Sequence, residues 1–196
     1  MRLSPVLRAA LLALLLTPGA APALAAPGTP ALDRPPSPAP HQPVASEGRA
    51  GDLQILQLWT PDPAAFLREW AEPTPPRLPT ASRTARNLPI EQFIIFSSCK
   101  ADAAGNCRLT ARIEIADPDG APYGDPMAFT IWDDKPAPPP ARMILSPNSI
   151  GLVVEDGEKL GTYRIHLAVT DVHAGVTAES LSAIEVTEAE KPATSN

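Results

Sequence analysis

Histidine and serine are the first residue types to consider for catalysis, and the chain of 196 residues has only three histidines. A catalytic triad would combine His166 or His173 with Asp171 and a serine, for which the candidates are Ser149 and Ser180. No serine of this sequence stands in a G-x-S-x-G elbow, the turn that exposes the nucleophile in many hydrolases. The sequence therefore gives no positive sign of a nucleophilic hydrolase.

Two turns carry the residue types that could bind a metal ion. Asp117 and Asp119 belong to the turn DPDG, and Asp171 and His173 belong to a second turn. If the two turns met, these four side chains would suit a metal-dependent or His-assisted enzyme, which is the alternative function for this chain. Aspartate is also common in turns because its side chain bonds its own backbone, and we favour that interpretation.

A binding surface is the third kind of site that the sequence suggests. Trp132 ends a predicted strand beside Asp133 and Asp134, and Tyr123 and Arg77 lie in segments rich in turn residues or proline. An aromatic side chain with charged neighbours can anchor a protein partner or stack on a sugar ring. We expect these five residues to contribute to the binding surface, and the other two tryptophans to lie in the core.

The chain has two cysteines, Cys99 and Cys107. An exported chain with an even number of cysteines usually oxidises them. Both lie at the base of the loop KADAAGN, whose Gly and Asn favour a turn. The sequence therefore predicts a structural disulfide that closes a local hairpin between the two flanking strands.

The first 25 residues are typical of a secretory signal peptide. Arg2 and Arg8 precede the apolar run AALLALLL, and Ala23 and Ala25 form an A-x-A site. Cleavage after Ala25, or after the next alanine, would release a protein located in the periplasm or outside the cell. The apolar run is too short to span a bilayer, so we expect no membrane insertion.

The remaining chain divides into four segments. Residues 26–51 are rich in proline and are expected to form a disordered or polyproline-like spacer. Residues 52–89 combine an apolar strand, a short helix and an extended wrapping segment. The helix could be capped by Thr60 before Pro61, or by Asp62 before Pro63. Residues 90–187 are predicted to be the main domain, and 188–196 a disordered tail.

The main domain is predicted to consist of antiparallel strands. Residues 90–98 are apolar on both faces, which favours a central strand, whereas residues 107–116 alternate between apolar and polar side chains. A strand PMAFTIW follows, and then four short strands RMILS, IGLVV, GTYRIHLAVT and LSAIEV. Helix-length periodic segments are missing after the short helix, so the predicted fold class is all-β.

The segment GTYRIHLAVTDVHAGVTAESLSAIEV resembles the closing hairpin of bacterial immunoglobulin-like domains, including the fibronectin type III and PKD-like groups. The matching positions are Gly161, Tyr163, Ile165, Leu167, Val169, Asp171, Ile184 and Val186. The wider pattern, from IIFSSC through DPDG and IWDDKPAPPP, is similar to small uncharacterised secreted proteobacterial proteins. The resemblance implies an antiparallel immunoglobulin-like sandwich.

Together these patterns predict a non-catalytic secreted or periplasmic binding or accessory protein. Its partner is expected to be a protein, or less readily a glycan, and the chain is expected to be a monomer. The net charge of −6 disfavours nucleic acid and anionic lipid as partners. No motif calls for a cofactor, and we expect none.

Overall fold

Nine β-strands and one short α-helix make up the described part of the chain, residues 45–73 and 78–189 of a computed structural model. In chain order they are β1 (Ala45–Ala50), β2 (Leu53–Thr60), α1 (Pro63–Trp70), β3 (Arg83–Ala85), β4 (Ile90–Ser97), β5 (Asn106–Ala116), β6 (Met127–Pro136), β7 (Ile144–Leu152), β8 (Gly161–Asp171) and β9 (Val176–Thr187). The prediction of an all-β fold with a short N-terminal helix is confirmed.

The strands form two sheets. Sheet A has the order β1-β2-β4-β7, and sheet B has the order β3-β9-β8-β5-β6. Neighbouring strands are antiparallel except β3 and β9, which are parallel. Sheet A is thus built mainly from the first half of the described chain and sheet B mainly from the second.

The main core lies between the inner faces of the two sheets. The strict alternation of β5 and β8 puts the predicted inward rows into this core, with Leu109, Ile113, Ile165, Leu167 and Val169 fully buried. Sheet A contributes buried side chains from β2 and β4 to the same cluster. The polar side chains that alternate with these apolar rows on β5 and β8 face outward, as the sequence predicts.

A second, smaller core explains why β4 is apolar on both faces. Helix α1 packs against the outer face of sheet A, where Phe66 stacks on Phe93 with ring centroids 4.2 Å apart. Of the two helix starts that the sequence offered, the second is the observed one. Asp62 caps the helix by accepting a hydrogen bond from the Ala65 amide, and Pro63 occupies the first turn. Trp70 extends the same aromatic stack.

The structure differs from the prediction in two segments of the chain. The strand β1 covers residues assigned to the end of the spacer 26–51, and it pairs with β2 across the turn Gly51–Asp52. The two short strands predicted for RMILS and IGLVV are one strand, β7. Pro147 does not end β7, which is an edge strand; it lies between Leu145 and Ser149, where the pairing with β4 shifts register.

The prediction that β4 and β5 form a hairpin is wrong. The strands are consecutive in the chain, but β4 belongs to sheet A and β5 belongs to sheet B. A loop that turns back locally and a loop that crosses to another sheet share the same Gly and Asn signals, so the loop sequence does not distinguish them. The segment between the two strands is therefore a connection between the sheets.

The predicted leader, the N-terminal part of the spacer, Arg77 and the end of the tail lie outside the described residues. Within the described ranges, no helix has the length and apolar character needed to cross a membrane.

Candidate functional site

Four connections meet at one end of the two sheets, which we call the disulfide end. They are the β1–β2 turn 51–52, the β4–β5 loop 98–105, the β6–β7 segment 137–143 and the β8–β9 turn 172–175. The strand registers bring them together, since Gln54 pairs with Ser97, and Phe96 with Ile144, next to these connections. The opposite end, which carries residues 117–126 and 153–160, is called the Lys159 end.

A cleft of about 820 Å³ lies between the four connections. This is within the usual size range of ligand pockets. Its walls combine small, apolar and charged residues; they are Arg49, Gly51, Asp52, Leu53, Gln54, Ser98, Cys99, Lys100, Pro138, Pro140, Ala141, Asp171, Ala174 and Val176. Every connection of the disulfide end contributes to the lining.

A disulfide holds one wall of the cleft. Cys99 and Cys107 are joined, as the sequence predicts. Cys107 is a fully buried residue of β5, and Cys99 lies in the loop beyond β4. Because the strands belong to different sheets, the bond ties the crossover loop to the start of β5 in sheet B instead of closing a hairpin.

The buried carboxylate of Asp171 holds a second part of the cleft. Its Oδ2 accepts a hydrogen bond of 2.7 Å from the backbone amide of Lys100, in the β4–β5 loop. Its Oδ1 accepts bonds from the amides of His173 and Ala174, in the β8–β9 turn. One side chain, 2% exposed, thus fastens two neighbouring loops to each other.

Left-handed backbone conformations of non-glycine residues are concentrated at this end. Four non-glycine residues of the described chain have positive φ, and three of them are Ser98 (62°), Asp134 (44°) and Ala141 (61°). Such conformations cost of order 1 to 3 kcal/mol each and persist where surrounding contacts enforce them. Two of these residues, Ser98 and Ala141, line the cleft.

Trp132 stands beside the cleft as a packed side chain and not as an open platform. Its ring makes an edge-to-face contact with the core residue Phe96, at 5.4 Å between centroids. Lys135 covers the ring, with Nζ 5.1 Å from its centroid. Asp133 and Asp134 lie 3.6 and 3.9 Å from a shared arginine, Arg108. Three of the predicted surface residues are thus neighbours at the disulfide end.

Tyr123, the fourth predicted surface residue, is at the Lys159 end. Its hydroxyl lies 3.0 Å from the Val153 carbonyl and 2.9 Å from the Glu158 carboxylate, and its ring packs edge-to-face on Tyr163. Burial, and then the hydrogen bond to Glu158, raise the pKa of Tyr123. The predicted surface therefore divides between the two ends, and Arg77 lies outside the described residues.

The four residues of the alternative metal site do not converge. Asp117 follows the last residue of β5, whereas Asp171 pairs with Leu109 near the start of the same strand. Lys159 bridges Asp117 and Asp119, at 2.6 and 2.7 Å, and its hydrogen bond lowers the pKa of Asp117. In residues 45–73 and 78–189, no group of three or more His, Cys, Asp or Glu side chains is placed to hold a metal ion.

The serine and histidine considered for a catalytic triad are likewise not brought together. Ser180 faces the core, where Gln57 donates to its hydroxyl, and it pairs with Leu167. His166 directly precedes Leu167 in β8 and therefore points to the outer face of the sheet, 3.5 Å from Glu179. His173 lies in the β8–β9 turn, 4.0 Å from Asp134.

The outer face of sheet B is a second concave surface. One depression of about 420 Å³ is lined by Pro122, Arg164, His166 and Leu181 among others. A shallower one lies over threonines and alanines of β5, β6, β8 and β9, of which Thr170 and Thr177 are hydrogen-bonded to each other. This face lacks the disulfide and the buried carboxylate that define the cleft.

Sequence reasoning did not identify Arg49, Asp52 and Lys100 as parts of a site. A usable signal existed for the first two, since Gly51–Asp52 is a two-residue turn dipeptide between SEGRA and an apolar strand. Lys100 carries no such signal, because only the crossing of the β4–β5 loop between sheets brings it to the cleft.

Comparisons with known proteins give no family. No family model matches the chain, and no curated protein matches it. Among solved structures, an alkylpurine DNA glycosylase of Pseudomonas fluorescens bound to DNA with an abasic site analog matches 55% of this chain at 14% identity and a TM-score of 0.36. A family 123 glycoside hydrolase of Clostridium perfringens matches 70% at 10% identity and a TM-score of 0.39. The matches span 28% of each of those chains, and similarity this low carries no functional argument.

Proposed function

We propose that the chain is a secreted or periplasmic immunoglobulin-like β-sandwich that binds a protein partner, without catalysis, through the cleft at the disulfide end. The observation that carries this proposal is the cleft itself, in which four connections from both sheets meet around one disulfide and one buried carboxylate. Loops held by a rigid scaffold are the usual location of binding residues.

The strand order supports the immunoglobulin-like part of the proposal. In constant-type immunoglobulin sandwiches one sheet carries the first, second, fourth and fifth main strands and the other carries the third, sixth and seventh, of which the last two are neighbours. The same division holds here except that the fourth main strand, β6, lies beside the third and joins the second sheet. Here β2-β4-β7 would be the first sheet, and β9-β8-β5-β6 the second. The parallel pairing of β3 with β9 would then be the early segment that joins the last strand. Strand β1 and helix α1 are additions to that plan.

Tyr163 supports the same assignment. It lies near the start of β8, and its hydroxyl donates a hydrogen bond of 2.8 Å to the Lys159 carbonyl, four residues upstream. A tyrosine that bonds back to the backbone at this corner is a hallmark of immunoglobulin-like domains. In those domains the loops that bind ligands cluster at one end, which here would be the disulfide end.

Binding is favoured over catalysis by the state of the cleft's polar groups. Asp171 is already occupied by three backbone amides. Ser98 accepts a hydrogen bond from the Ala141 amide, and no histidine is among the described residues that line the cleft. Ser98 therefore has no histidine in the cleft lining to act as its base. The disulfide is compatible with an oxidising compartment, which supports export.

Site-directed photocrosslinking in the producing cell tests the proposal. A photoreactive residue is placed at Val176 or Ala174 in the cleft, and at Asp125 or Asp156, exposed at the Lys159 end, as matched controls. We expect the cleft positions, and not the controls, to form adducts with one protein. A second substitution, Ala174→Trp, is added to the Val176 variant to fill the cleft and should abolish its adduct.

Equal adducts from both ends, or adducts at Val176 that survive Ala174→Trp, would contradict the proposal. So would the absence of adducts from folded, oxidised protein. An adduct with a glycan in place of a protein would retain the cleft but overturn the partner class.

A further inference from the structure

The disulfide end concentrates cations that have no carboxylate partner. Within residues 45–73 and 78–189, six lysines and arginines have no carboxylate oxygen within 4.0 Å. Four of these six belong to the disulfide end; they are Arg49, Lys100, Lys135 and Arg142. This distribution contrasts with the net charge of −6 for the whole chain.

The carboxylates at the same end are mostly engaged. Asp133 and Asp134 lie beside Arg108. Asp102 accepts hydrogen bonds from the amides of Ala104 and Asn106, and the Asn106 amide is the largest contributor to its lowered pKa. The buried Asp171 is held by backbone amides. Asp52 alone remains as an exposed carboxylate of the cleft lining with no such partner in the described chain.

Two of the unpaired cations, Arg49 and Lys100, line the cleft itself and are exposed. Arg49 is oriented by a hydrogen bond of 3.0 Å from its Nη2 to Gln54, and the backbone of Lys100 is fixed by Asp171. The part of the lining that comes from the β6–β7 segment consists of Pro138, Pro140 and Ala141, whose side chains offer no hydrogen-bond donor. The cleft thus pairs positive charge with an apolar wall.

We propose that the cleft receives an acidic peptide segment of the protein partner, whose carboxylates are bound by Arg49 and Lys100; this inference rests on the proposed function. A peptide can place single carboxylates at the two cations and its aliphatic atoms against the proline wall. A nucleic acid carries charge along its whole backbone and would be repelled by the unpaired Asp52 and by the net negative charge of the chain. Charge complementarity therefore favours the peptide.

Selection from a random peptide library, displayed on phage and applied to the oxidised protein, tests this inference without assuming a partner. Peptides that also bind the Ala174→Trp variant are discarded. The affinity of an enriched peptide is then measured by fluorescence polarisation. The same measurement is made on a second peptide in which every Glu is replaced by Gln and every Asp by Asn. The proteins are the wild type, Arg49→Gln/Lys100→Gln, and the matched control Arg68→Gln/Arg164→Gln, which removes two exposed, unpaired arginines elsewhere.

We expect enriched peptides to be rich in Asp and Glu. The Arg49→Gln/Lys100→Gln pair should weaken binding about tenfold, as expected for two lost charge-assisted contacts, while the control stays within about twofold. Added salt should weaken the wild-type affinity.

Cleft-dependent peptides without acidic residues, or binding unchanged by Gln and Asn substitution, would overturn the acidic-peptide inference and leave the proposed function standing. Displacement of the peptide by a single-stranded oligonucleotide of equal charge, with equal affinity, would also overturn it. If no peptide depends on the cleft and the photoreactive residues in the cleft give no adduct either, the proposed function itself is wrong.

Discussion

The substitution Asp171→Asn should detach one loop of the cleft from its neighbour while leaving the rest of the fold intact. The amide oxygen can keep the bonds that Oδ1 accepts from His173 and Ala174, at 3.1 and 3.0 Å. The amide nitrogen then occupies the place of Oδ2 and meets the Lys100 amide, which now has no acceptor. One change thus separates the β4–β5 loop from the β8–β9 turn.

The expected cost follows from that single lost contact. A hydrogen bond to a charged group contributes about 1.5 to 3 kcal/mol. Since Asp171 is buried, solvent does not readily replace the bond, and we expect the free energy of unfolding to fall by about 2 kcal/mol. At roughly 4 °C per kcal/mol for a domain of this size, Tm should fall by about 8 °C.

Urea unfolding, thermal unfolding and amide hydrogen exchange measure this effect. The exchange rate of the Lys100 amide should rise selectively, whereas the amides of β8 should stay protected. Asp133→Asn is the control, because that exposed carboxylate is 3.6 Å from Arg108 and should change stability by no more than about 0.5 kcal/mol. Unchanged stability and unchanged Lys100 exchange in Asp171→Asn would refute the role assigned to this carboxylate.

Three further predictions concern stability. Replacing both Cys99 and Cys107 by serine should cost about 2.5 kcal/mol in urea unfolding, the chain-entropy value for a bridge with a sequence separation of 8, and a loss below about 1 kcal/mol would contradict it. Gly48→Ala should cost at least about 2 kcal/mol by the same assay, because a Cβ there would lie 2.2 Å from a backbone oxygen of β9, whereas Gly151→Ala has open space and serves as its control. The pKa of Asp117 is lowered by its lysine partner, so its contribution to stability is present above about pH 4 and is lost as pH falls through the lower folded pKa. Asp117→Asn should therefore show a smaller loss of stability in acid, and an unchanged acid profile would oppose this.

Local pattern was enough to predict which side chains of sheet B face the core. Alternation in β5 and β8 places residues such as Ile113 and Leu167 inward without knowledge of the partner strand. The apolar character of β4 on both faces also predicted a central strand. Its cause, the helix α1 on the outer face, involves contacts between distant segments that no local pattern specifies.

Strand pairing was harder to predict than strand position. The segment between Cys99 and Cys107 has the composition of a hairpin turn, and the disulfide across it is compatible with either a hairpin or a crossover. The outcome depends on which strands β4 and β5 pair with, and those partners, β2, β7, β6 and β8, come from the whole length of the described chain. Long-range pairing of this kind decides the architecture.

The same dependence on pairing explains why the candidate site was not recognised. From the sequence, Asp171 is an aspartate in a turn and Lys100 is a lysine in a loop, and neither type is unusual there. They become neighbours because the β4–β5 loop leaves sheet A and passes over the end of β8, where one carboxylate can hold both loops. The cleft is therefore a product of the connection between the sheets. If that connection determines the site, replacing both cysteines by serine, which breaks the Cys99–Cys107 bond, should impair ligand binding at the cleft. Asp171→Asn, which removes the hydrogen bond to the Lys100 amide from a different strand, should impair it in the same way.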